Sequence, residues 1–107
     1  MTILDEIKQY MEQSGLNYEE ASQLIGWKKQ NLWDKLNRRT EVTYDSVRKI
    51  LNGFGAKLEF IDVESGCAMD LNELDEALQD EHISFECVKK LMELMKYETV
   101  ITFPTGH

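Results

Sequence analysis

Apolar residues recur with helical spacing along the first 55 positions, and the runs break at glycines or at residues suited to capping. Ile3, Leu4, Ile7, Tyr10 and Met11 share one face of a first helix. The Ser14-Gly15 pair ends it, because glycine readily takes the left-handed conformation that closes a helix. Asn17 with Glu20 three residues on has capping-box spacing, so a short second helix carries Ala21, Leu24 and Ile25 as its stripe and stops at Gly26. In a third helix Leu32 and Leu36 stand one turn apart, with Lys28, Lys29, Gln30, Trp33 and Asn37 around its other faces. Thr43 is placed to cap a fourth, with Val42 and Val47 as a hydrophobic staple. Tyr44, Val47, Ile50, Leu51 and Phe54 then face inward. Gly53 and Gly55 follow no strand and form no phosphate-binding pattern, so both read as helix termination.

The later pattern is sparser. Asp70-Leu71-Asn72-Glu73 resembles a capping box, opening a helix with Leu71, Leu74, Ala77 and Leu78 on one face. Ile83-Ser84 opens another, with Val88 as staple partner and Phe85, Val88, Leu91, Met92 and Met95 as its stripe. ETVITF reads as a strand stopped by Pro104 and Gly106, and KLEFID and TVITF can pair within one chain or between two. The expected architecture is mainly α: four short helices and a short strand over 1–63, then a small appendage of two helices and a strand over 64–107.

Length and composition narrow the class. At 107 residues with 42% hydrophobic content, the chain has room for one folding unit and enough apolar residues to build a core. No apolar run nears the roughly 18 residues of a membrane span, and MTILDEIKQY lacks the basic and apolar regions of an export signal, so a soluble cytoplasmic protein with no membrane partner is expected. Cys67 and Cys87 have no zinc-ligand spacing and read as reduced thiols.

Charge then changes the picture. The net charge of −8 divides into −4 over residues 1–25, +5 over 26–57 and −9 over 58–107. Five of the 12 Lys and Arg residues lie in GWKKQNLWDKLNRR, residues 26–39. A basic segment between acidic flanks can meet phosphates while the rest of the surface repels them.

Two short helices joined by a glycine-bearing turn, the second polar and basic, form the pattern of a helix-turn-helix. NYEEASQLIGWKKQNLWDKLNRR, followed by TYDSVRKILNGFGAKLEFI, resembles the Cro, phage-repressor and Xre family of lambda-repressor-like DNA-binding domains, especially its antitoxin-like branch, over about residues 3–63. Ser22 takes the place of the family's small residue in helix two, Gly26 that of the turn glycine, Trp27 that of the apolar turn residue and Leu32 that of the buried aliphatic on the recognition helix. Leu36-Asn37-Arg38 is similar to the family's exit from that helix. Two positions depart: Tyr18 stands where the family has a clamping Gln, and Lys28 where it has a capping Ser.

The resemblance implies double-stranded DNA as partner, with the first turn of helix three in the major groove. Lys29, Gln30 and Trp33 are then the candidates for base edges, since Lys suits guanine and Gln suits adenine. Trp33 has an equal alternative in partial burial against a neighbour, and Asn31 either reaches DNA or bonds the backbone near the turn. Trp27 is read as core. Asn17, Tyr18 through its hydroxyl, Lys28, Arg38, Arg39 and Thr40 are candidates for the phosphate side, and Thr43 with the first amides of helix four for a further anion site. Short inverted half-sites call for a two-fold homodimer, and Phe85, Val88, Leu91, Met92 and Met95 are the candidate dimerisation surface. The function expected is a transcriptional regulator of a phage, mobile-element or toxin–antitoxin operon. The alternative is an antitoxin-like or inhibitory module whose acidic C-terminal segment binds a basic partner such as a toxin. No enzyme, cofactor or metal is expected: His82 and His107 lack partners at motif spacing, and Cys67, Asp70, His82 and Cys87 are scattered.

Overall fold

Side-chain caps and left-handed glycines set most of the helix boundaries. In the computed structural model, which describes residues 2–104, α1 (Ile3–Ser14) begins with a capping box between Thr2 and Asp5, a signal that the apolar pattern alone does not reveal. It ends at Gly15, φ 69°. In α2 (Tyr18–Ile25) the Asn17 carboxamide accepts from the Glu20 amide while the Glu20 carboxylate accepts from that of Asn17, and Gly26 closes the helix at φ 86°. α3 (Lys29–Asn37) follows with no side-chain cap at Lys28. α4 (Tyr44–Phe54) starts on Thr43 and ends at Gly55. β1 (Lys57–Asp62), α5 (Leu71–Leu78), α6 (Phe85–Leu94) and β2 (Tyr97–Thr102) complete the described chain, a small, mainly helical unit with six helices and a two-stranded sheet. No helix among the described residues is long and apolar enough to cross a membrane.

β1 and β2 pair antiparallel within the chain, from Lys57↔Thr102 to Asp62↔Tyr97. The segment after Val63 therefore folds back on the first four helices. Phe85, Val88 and Met92 join Ile3, Ile7, Val47, Ile50, Leu51 and Phe60 in one core, so the expected appendage supplies part of the packing that the first half needs. Packing in α6 follows Phe85, Val88 and Met92 only, and Leu91 and Met95 of the expected stripe are 47% and 59% exposed. α5 has no fully buried residue. Leu71, Leu74 and Leu78 lean on the core, whereas Ala77 is exposed, and Asp70 caps the Asn72 amide instead of forming a box with Glu73.

Two further expectations are corrected on the other side of α4. Leu24 is 53% exposed, and α2 instead buries Ala21 and Ser22 with Ile25 half-covered. The cause is close approach: a Cβ on Gly53 would stand 2.8 Å from Ile25 Cα and 3.0 Å from the Leu24 carbonyl oxygen. Gly53 thus lies inside α4 as the contact that admits α2, and Gly55 alone terminates the helix. Pro104 follows β2, while Gly106 and His107 fall outside the described residues.

Candidate nucleic-acid interface

α3 is held by Leu32 and Leu36, both essentially inaccessible; burying each contributes about 1.5–3 kcal/mol. Fixing those two inward fixes the roll of the helix. At 3.6 residues per turn, Gln30, Asp34, Asn37 and Arg38 fall on the face opposite, with Lys29 and Trp33 on one flank and Asn31 and Lys35 on the other. Lys28, Lys29, Gln30, Asn31, Asn37, Arg38, Arg39 and Thr40 are exposed, so the structure brings most of the expected residues to one helix and the loop that leaves it.

Both tryptophans are half-buried and each carries a cation. Lys35 Nζ lies 5.5 Å from the centre of the Trp27 ring, and Arg38 Cζ lies 5.5 Å from that of Trp33. Burial, then repulsion from Arg39 and Lys49, draws the Lys35 ammonium below its ordinary pKa, a sign that three cations converge at the C-terminal end of α3.

Tyr18 is tied into the same surface. Its hydroxyl oxygen accepts from Asn37 Nδ2 at 2.9 Å, linking the start of α2 to the end of α3 and leaving the phenolic hydrogen available to an acceptor. Asn17 has its carbonyl oxygen committed to the Glu20 amide, so only its side-chain NH₂ is left to donate.

The anion site expected at Thr43 is occupied by the chain itself. Thr43 Oγ1 accepts from the Ser46 amide, the Tyr44 amide donates to the Ile83 carbonyl, and the Phe85 amide donates to the Val42 carbonyl. These bonds lay the starts of α4 and α6 side by side as a small antiparallel bridge, Thr43↔Ser84. The reason is the fold-back of residues 64–104, which carries the Ile83 carbonyl to the Tyr44 amide, one of those that a phosphate would have needed.

The basic count is reduced in a second way. Arg48 binds Asp75 with two hydrogen bonds, 2.9 and 3.0 Å, and the Tyr44 hydroxyl donates to the same carboxylate at 2.8 Å. Burial, outweighed by the hydrogen bonds from Arg48 and Tyr44, leaves the Asp75 carboxyl below its ordinary pKa; burial and the bond to Asp75 push the Tyr44 phenol well up. Lys49 pairs with Asp45 at 2.9 Å. Arg48 is thereby drawn inside, whereas Lys28, Lys29, Arg38 and Arg39 are exposed at the start and exit of α3.

Asp34 is the residue that the sequence reading passed over. It accepts from Gln30 Nε2 at 3.0 Å and stands 3.6 Å from Arg38 Nε, in the middle of the outward face. Its signal was the i, i+4 spacing of Gln30, Asp34 and Arg38.

The candidate dimerisation residues divide. Phe85, Val88 and Met92 are covered by the chain's own core and offer nothing to a partner. Leu91 and Met95 remain outside with Leu94, and Val63 joins them because its amide donates to the Lys96 carbonyl at 3.0 Å. Comparison with family models, with curated proteins and with solved structures gave no match.

Proposed function

We propose that the chain is a sequence-specific DNA-binding transcriptional regulator of the helix-turn-helix type, with α3 as the helix that enters the major groove. The exposed cationic face of α3 and its exit loop, in a chain whose net charge is −8, carries the reading. Lys28, Arg38, Arg39 and Thr40 serve the phosphates on either side of the groove, and the Tyr18 hydroxyl donates to another. Gln30, Asn31 and Lys29 meet base edges, with Trp33 packed at the flank under Arg38. α2 supports α3 from behind through the tight turn at Gly26, where the amides of Gly26 and Trp27 both donate to the Ser22 carbonyl.

A two-fold dimer would use the exposed outer side of α6, Leu91, Leu94 and Met95, with Val63 beside it, in place of the face that the core already covers. Leu94 at 75% exposure is the most open large apolar side chain of that group.

Selection of bound duplexes from a random pool tests the function. Enrichment of a defined site, abolished by Arg38→Ala with Arg39→Ala at moderate salt, is the expected result. A full-length, folded protein that enriches no sequence would overturn it.

A further inference from the structure

Asp34 sits opposite buried Leu32 and Leu36, at the centre of the face that α3 offers outward. On a helix presented to a polyanion, a carboxylate at that place opposes binding, and its position calls for a compensating role. What the structure holds there is a directed contact: Gln30 Nε2 donates to Asp34 Oδ1 at 3.0 Å.

The chemistry of the two groups fixes the direction of the amide. A carboxylate only accepts hydrogen bonds, so the Gln30 carboxamide must turn its nitrogen toward Asp34 and its oxygen away. One of the two amide hydrogens is then occupied. Donation to Asp34 through the hydrogen that points away from Oε1 leaves the other hydrogen beside Oε1 on the free edge, a donor next to an acceptor. In the major groove adenine presents N6–H₂ beside N7, the complement of that edge. Guanine presents two acceptors, and Oε1 would face O6 without a hydrogen between them.

We infer that Asp34 is a positioning residue that orients the Gln30 carboxamide to donate to N7 and accept from N6 of one adenine, so that each copy of the protein selects an A·T pair at that step of its site. The inference rests on the DNA-reading function proposed above. It adds the base chosen and the residue that enforces the choice. Arg38, 3.6 Å from the same oxygen and over the Trp33 ring, holds the carboxylate from the other side.

The test is selection from a random duplex pool with the full-length wild type, Gln30→Ala, Asp34→Asn and the double variant. Helical circular dichroism and melting are recorded for each to confirm folding. The wild type should enrich a site with a fixed adenine that Gln30→Ala makes indifferent. Asp34→Asn should lower the preference for that adenine by about tenfold, the scale of one bidentate base contact. It should also tighten binding to unrelated DNA, because a negative charge has left the face. The double variant should be no less selective at that position than Gln30→Ala alone. An adenine preference untouched by Asp34→Asn would overturn the inference. So would a cytosine at that position lost with Asp34→Asn, since Asp34 would then be reading the N4 amino group itself. In either of those cases the enriched site leaves the DNA-binding function standing. A folded wild type that enriches nothing removes both.

Discussion

α4 is covered on its two sides by different means. Toward α2 and α3 the cover is apolar and close: Gly53 admits the Ile25 backbone, and Leu32 and Leu36 are sealed while charged groups stay outside. Toward α5 and α6 it combines an apolar seam at Phe85, Val88 and Met92 with a polar clamp, in which Asp75 reaches in to Tyr44 and Arg48. The first arrangement leaves Lys28, Lys29, Arg38 and Arg39 in solvent. The second neutralises Arg48 and commits the Tyr44 amide at the start of α4, so the same basic stretch of sequence produces a charged face at one end of the helix-loop-helix and an internal brace at the other.

The largest effect should come from breaking the second side at its apolar seam. Val88→Asp puts a carboxylate at a position 2% exposed, and the cost is expected to be about 3 kcal/mol or more. For a domain whose whole stability is on the order of 5–15 kcal/mol, that is a fifth of the total or more, and the melting temperature should fall by about 10 °C or more. Thermal melts followed by circular dichroism at two widely separated protein concentrations check this. The variant should melt lower by the same margin at both. A well-folded variant that differs from wild type only in its association state would place Val88 at a subunit interface instead of in the core.

The close approach on the first side is tested by Gly53→Ala. Alanine favours helix over glycine by about 1 kcal/mol, which alone would stabilise the protein. Here the added Cβ meets backbone atoms at 2.8 and 3.0 Å, and these cannot swing aside as a side-chain tip can. Overpacking of this kind costs about 1–3 kcal/mol, which offsets or exceeds that gain, so a net loss of up to about 2 kcal/mol is expected in urea unfolding. A gain in stability would mean that α2 rests more loosely on α4.

The polar clamp should show a smaller, pH-dependent effect. Asp75→Asn removes the charge from a partly exposed pair. After allowance for solvent screening, the loss at neutral pH is expected to be about 1 kcal/mol. The Asp75 carboxyl has a lowered pKa in the fold, so its contribution is complete above the unfolded value of about 3.9 and disappears as pH falls through the folded value. The stability difference between wild type and Asp75→Asn, from denaturant titrations between pH 2 and pH 7, should therefore close at the acid end. A difference that persists undiminished at the lowest pH would show that packing, not charge, separates the two.

What the sequence made legible follows the same division. The four N-terminal helices rest on local signals, such as Asn17 with Glu20, Thr43, Gly15, Gly26 and Gly55, and each of these sits where the apolar period put it. Leu24 and Gly53 misled because helix–helix distance, which no local pattern encodes, decided which face of α2 turned inward. The second half was legible as elements but not as a cover. Pairing of KLEFID with the last strand is a contact about 40 residues apart in sequence, and it belongs to the same fold-back that brings Ile83 to the amide of Tyr44 and Asp75 to Arg48. On α3, charge and residue type pointed to Lys29, Gln30, Arg38 and Arg39. Asp34 was overlooked because a lone carboxylate in a basic run looks like ordinary solvation until its bond to Gln30 is seen.

The smallest effect sharpens the first side of the comparison, by separating what α3 needs to fold from what it would offer to DNA under the proposed function. Among the described residues every helix start but one has a side-chain acceptor, and the exception is Lys28, whose side chain accepts nothing from the amides that follow it. Serine at that position should satisfy one of those amides and raise stability by about 0.5–1 kcal/mol. It also removes a cation from the edge of the proposed groove face. Lys28→Ser should therefore melt higher and yet bind DNA of any sequence more weakly, with the slope of log affinity against log salt reduced by about one. Its preferred site should stay unchanged. Together these results would assign Lys28 to phosphate contact at the cost of its own helix. If the variant is more stable and binds with the same salt slope, Lys28 does not face the backbone, and the exit residues Arg38 and Arg39 carry the phosphate contacts without it.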